Sequence, residues 1–149
     1  MPVIEGKPEH IADKEFRPKI ERCLKLLQTK SPTGNALVSK VATIRASRAS
    51  GANFADKAID IARLTFDASD TWVASVLAHE AQHFKQKADG KYKAGEEAEK
   101  DANLVQLGVL ESIGAPKSEI TYLKTQNGKH FDLNGDGVYD EKDYNLRKY

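Results

Sequence analysis

The chain has 149 residues, 23 Lys and Arg against 22 Asp and Glu, a net charge of +1 and 40% hydrophobic residues. This length and apolar content suit one domain with a modest core. The near-neutral, interspersed charge gives no electrostatic case for nucleic acid or an anionic membrane, no apolar run approaches a membrane span, and a single cysteine excludes an internal disulfide.

The first six residues, Met1 to Gly6, lack the charged and apolar regions of a secretory signal. A cytoplasmic chain, one exported by a signal-independent route and a domain cut from a longer protein all remain open. Ile11, Phe16, Ile20, Leu24 and Leu27 recur at helical spacing and predict a helix over about 10–29. Pro18 is expected to split or kink it. Cys23 lies on the apolar pattern of that helix and reads as a buried structural thiol. Ser31-Pro32-Thr33-Gly34-Asn35 reads as a turn, 38–47 as a strand around Val41, Thr43 and Ile44, and 48–53 as a loop. A second strand is expected over Ala58 to Phe66.

A long helix follows. Ser69 and Asp70 are good N-cap residues, and Gly90 stands near the expected C-cap. Val73, Leu77, Ala81 and Phe84 form one apolar stripe, while Trp72 and Val76 lie in line with His79 and His83 on another. A helix apolar on two sides is expected to be buried. At its centre stands His79-Glu80-Ala81-Gln82-His83, an H-E-x-x-H pattern. Four residues slightly exceed one turn, so both imidazoles leave one face and form half of a tetrahedral zinc site. Glu80 then lies beside the ion without ligating it, where it can act as general base. A catalytic zinc with two histidines needs a third protein ligand and an open position. An acidic helix over about 95–110, carrying Glu96, Glu97 and Glu99, is the natural source. Ala115-Pro116-Lys117 ends that helix, and 118–126 reads as a further short one.

These residues resemble the gluzincins, metallopeptidases with two His and one Glu on zinc. In that family a glutamate on a later helix completes the site, often within E-x-x-A-D or E-x-x-x-D. Glu99-Lys100-Asp101-Ala102-Asn103 matches the first form with Asn at its last place, and Glu97 to Asp101 matches the second. The resemblance covers roughly residues 58–116. It implies zinc held by His79, His83 and Glu99, with Glu97 and then Glu96 as the less favoured third ligands. It also implies that Asn103 accepts a hydrogen bond from a ligand histidine, and that the strand before the active helix borders the cleft and pairs with extended substrate. The implied fold is α+β: a minimal zincin-like domain, mainly helical with a small sheet, spanning 1–149. The implied reaction is hydrolysis of a peptide bond in a peptide or protein substrate, with Glu80 taking a proton from the attacking water. Tyr92, Tyr122, His130 and Arg45 are candidates for donating to the developing oxyanion.

A second metal motif runs from Asp132 to Asp143. It fits the twelve-residue D-x-[DN]-x-[DN]-G calcium loop. Asp132, Asn134 and Asp136 fill places 1, 3 and 5, and Gly137 takes the sharp turn. Val138 offers its carbonyl, Asp140 stands at place 9, and Asp143 closes the loop where EF-hands usually carry Glu. That closing Asp resembles dockerin-type loops. A solitary loop of this kind is expected to be a structural calcium clip that pins residues 144–149. Three rival readings stand beside the peptidase: a zincin scaffold that binds zinc without turnover, a calcium-dependent interaction module, and a zinc hydrolase of non-peptide amides. Oligomeric state is left open.

Overall fold

The computed structural model describes residues 2–92 and 95–126. Chain order is β1 (Val3–Glu5), α1 (Asp13–Lys30), α2 (Pro32–Val38), β2 (Thr43–Ala46), β3 (Gly51–Asn53), β4 (Ala58–Ile61), α3 (Arg63–Phe66), α4 (Asp70–Ala88), α5 (Glu96–Ser112) and α6 (Lys117–Lys124). The described residues are therefore mixed α and β and mostly helical, as expected, with six helices against one small sheet of four strands. None of those helices is long and apolar enough to cross a membrane. The candidate calcium ligands Asp132, Asn134, Asp136, Val138, Asp140 and Asp143 lie outside the described residues, as do His130 and 144–149.

Strand order is β1-β2-β4-β3, with the first two pairings parallel and β3 antiparallel to β4. The sheet lays Ile4, Ile44, Ile59 and Ile61 into a core shared with Phe16, Ile20 and Leu27 of α1. Helix α4 runs through the middle of the molecule and packs on α1, α2, α5 and the β3–β4 end of the sheet. Every residue from Trp72 to Ala81 is buried, so all faces of these turns are covered, as two-sided apolarity requires. Ser69 caps α4, its Oγ accepting from the Trp72 N–H at 3.1 Å. At the other end Gly90 follows the C-cap Asp89 at φ 70°, the left-handed position where glycine costs least.

Several elements differ from the sequence expectations. Helix α1 runs unbroken through Pro18. Pro18 falls in the second turn and forfeits the single bond its missing N–H would make to Lys14, while Phe16, Ile20 and Leu24 bury on one face. Residues 31–35 are not a free turn but the start of α2. Ser31 Oγ accepts from the Gly34 N–H at 3.1 Å, and Pro32 occupies a first-turn position that needs no N–H donor. The strand expected over 38–47 shrinks to β2, because Val38 ends α2. The loop at 48–53 contains β3. The strand expected over 58–66 stops at Ile61, and residues 63–66 form a helical turn instead. Lys19 Nζ, at 2.5 Å from both the Phe66 and Ala68 carbonyls, satisfies acceptors that such a turn leaves open. β1 carried too few residues to stand out in sequence; it is defined by its pairing with β2.

Candidate metal centre

Helices α4 and α5 pack closely because α5 turns small residues inward: Ala98 and Ala102 are buried at the contact. Glu99 lies between them in sequence and is carried directly onto the two histidines. Its Oε2 lies 3.0 Å from His79 Nε2, and its Oε1 lies 3.1 Å from His83 Nε2. One carboxylate thus bridges the two rings, whose centroids are 5.0 Å apart. Zinc–ligand distances of about 2.0–2.2 Å put neighbouring ligand atoms of a tetrahedron about 3.3–3.6 Å apart. The observed spacings fall just short of that edge, at hydrogen-bond length. Glu96 pairs with Lys100 at 3.2 Å, and Glu97 is exposed. Of the three candidate glutamates in the first turn of α5, Glu99 is the one brought to the histidines.

Glu80 is the fourth member of the cluster. Ligand atoms of His79, Glu80 and His83 lie within 4.8 Å of one another, a group that could itself hold an ion; Glu80 Oε1 stands 3.8 Å from His83 Nε2, farther out than Glu99 at 3.1 Å. The group is deeply buried, with His79 0%, Glu80 1%, His83 4% and Glu99 5% exposed. Burial by itself pushes the His83 imidazolium down, but its hydrogen bond to Glu99 and the charges of Glu80 and Glu99 raise it above the ordinary histidine value. The negative potential extends to the sheet. Asp60 on β4 is raised above the usual carboxylate range by burial, and the Glu80 charge adds to that, against the opposing pull of Arg45.

Around the first ring of donors runs a network that the sequence reading did not single out. His83 Nδ1 donates to Gln86 Oε1 at 2.9 Å. Gln86 Nε2 donates in turn to the Ala98 carbonyl at 3.0 Å and to Asp101 Oδ2 at 2.8 Å. Gln82 Nε2 reaches the same Asp101 oxygen at 2.7 Å. These two bonds hold the Asp101 carboxyl below the usual carboxylate range. Asn103, expected to accept from a ligand histidine, is buried at 8% exposure one turn beyond Glu99; the acceptor on His83 Nδ1 is Gln86. A signal was present: positions 79, 83 and 86 follow one another along one helical face.

The oxyanion candidates separate clearly. Tyr92 stands beside the cluster, its ring 5.8 Å from that of His83 and 4.9 Å from Phe54. Tyr122 packs on Trp72 at 5.6 Å, about two turns of α4 before His79. The Arg45 guanidinium is committed to Asp60 at 2.6 Å and Asp56 at 2.9 Å. The strand expected to border the cleft, 58–66, contains β4, which is interior between β2 and β3; among the described residues β1 and β3 are the edge strands, and β3 packs against α4. No family model, no curated protein and no solved structure matches the chain.

Proposed function

We propose that this protein is a zinc-dependent metalloendopeptidase with a zincin-like fold of the gluzincin kind. The observation that carries the reading is the convergence of His79 Nε2 and His83 Nε2 on the two oxygens of Glu99, at 3.0 and 3.1 Å, with Glu80 set back beside them. His79, His83 and Glu99 would hold the ion. When bound, zinc supplies a Lewis acid for the scissile carbonyl and an acidified water. Glu80 accepts the proton of the attacking water and delivers it to the leaving amine. Tyr92 is the candidate donor to the developing oxyanion, since it is the described candidate beside the cluster. The free edge of β3 offers backbone N–H and C=O groups to an extended peptide, which suits a peptide or protein substrate recognised with little sequence demand. The sequence 132–143 adds a structural calcium loop to this proposal.

The test is hydrolysis of a mixed peptide library by the zinc-loaded protein and its Glu80→Gln variant. Cleavage that disappears in the variant while zinc is retained supports the reading. Equal rates in the two proteins remove Glu80 from the chemistry. One observation favours a second reading, zinc binding without turnover: Glu80 is 1% exposed, and a general base has to meet substrate. Zinc-loaded wild type that cleaves nothing in the library would select that second reading.

A further inference from the structure

We propose that Gln86 is the positioning residue of this centre, fixing which nitrogen of His83 is presented to the metal. The inference rests on the metal reading above and concerns a group that the H-E-x-x-H pattern does not include. Gln86 is 6% exposed, so its amide has to find its partners inside the protein. Its Nε2 sits 3.0 Å from the Ala98 carbonyl and 2.8 Å from Asp101 Oδ2. Both are acceptors, so the NH₂ end of the amide faces α5 and Oε1 is left facing His83 Nδ1 at 2.9 Å. A carbonyl oxygen can only accept. Nδ1 therefore carries a hydrogen, and the lone pair available to a cation lies on Nε2, the nitrogen 3.1 Å from Glu99. Asp101 holds the amide in this sense and is itself held by Gln82 at 2.7 Å. The same bonds run from the end of α4 to the turn of α5 that carries Glu99, so the orientation of one amide sets the face of the imidazole.

The experiment compares zinc affinity, by chelator competition, in wild type, Gln86→Met and Gln86→Glu. Long-range ¹H–¹⁵N spectra of the zinc-loaded proteins read the His83 tautomer. Met fills the space without hydrogen bonds, whereas Glu, protonated between the two acceptors of α5, keeps an O–H donor toward them and an acceptor for Nδ1–H. The expected result is zinc binding weakened about 10- to 100-fold in Gln86→Met, with a slowly exchanging His83 Nδ1–H lost. Gln86→Glu should stay closer to wild type. A residue that merely glues the helices would weaken both variants alike, and that result overturns the proposal, as does unchanged affinity in both. If Gln86→Met fails to fold, Asp101→Ala leaves Gln86 whole but frees its amide. Binding weaker by about threefold or more, with faster exchange of Nδ1–H, then supports the role, and no change overturns it. Wild type that takes up no zinc at all overturns the metal reading itself, a result distinct from any of these.

Discussion

At the scale of single residues the account turns on which carboxylate does what. Glu99 touches both imidazoles, and Glu80 stands farther from His83. Glu99→Ala is therefore expected to cost at least about 100-fold in zinc affinity, whereas Glu97→Ala, on the exposed side of α5, leaves it unchanged. Chelator titration of the two variants reads the difference. Glu80→Gln should retain zinc and lose about 10²- to 10⁴-fold in peptide hydrolysis, the usual worth of a general base. Cys23 makes a contrast. Burial, reinforced by the nearby Asp70, pushes its thiol up to about 12. At pH 8 only about one molecule in ten thousand would carry the thiolate. A thiol reagent at pH 8 should label the native protein orders of magnitude more slowly than the urea-unfolded chain; equal rates would show that the thiol is not held inside α1.

At the scale of elements, two joints can be tested. The first links β1 to α1. Gly6 donates its N–H to Asp13 Oδ1 at 3.1 Å, and Arg17 Nη2 donates to the Ile4 carbonyl at 2.7 Å. A Cβ on Gly6 would run into the backbone of Asp13 and Ala12, which cannot step aside as a flexible side chain can. Gly6→Ala should destabilise the fold by about 1–3 kcal/mol in urea melts, and an unchanged midpoint would mean that this joint is looser than described. The second joint links α1 to the start of α4, through Arg22 Nε and Asp70 Oδ2 at 2.8 Å. That bond holds the Asp70 carboxyl below its ordinary range. The folded pKa lies below the unfolded one, so the stabilisation is present at neutral pH and is lost as pH falls through the folded value. Asp70→Asn should cost about 0.5–1 kcal/mol at pH 7, the scale of a partly exposed pair at a helix N-terminus. The gap between mutant and wild type should close in melts run well below the carboxylate range.

At the scale of the whole molecule, what was legible in sequence follows from the range of the forces involved. The long helices were readable because caps and apolar periodicity are local: Ser69, Gly90 and the stripes of α4 lie within one stretch of chain. The pairing of His79 and His83 was readable because they share a helix face, whereas Glu99 was favoured over Glu97 and Glu96 chiefly through the resemblance of its helix to the gluzincin pattern. The sheet was read poorly. β1 and β3 are three residues each, too short to show an alternation; β1 is defined by β2, far away in sequence, and β3 by its nearby antiparallel pairing with β4. The helical turn at 63–66 likewise depends on Lys19, more than forty residues earlier. The supporting amides were missed for the same reason, since Gln86 gains meaning only once Asp101 and the Ala98 carbonyl are beside it.

The central claim is that two histidines and Glu99 form one metal centre. Its most direct test is the zinc content of the purified protein after zinc is offered and the excess dialysed away. The account predicts one zinc per chain, retained in Glu97→Ala and lost in Glu99→Ala. Wild-type protein that emerges from dialysis without zinc would contradict it.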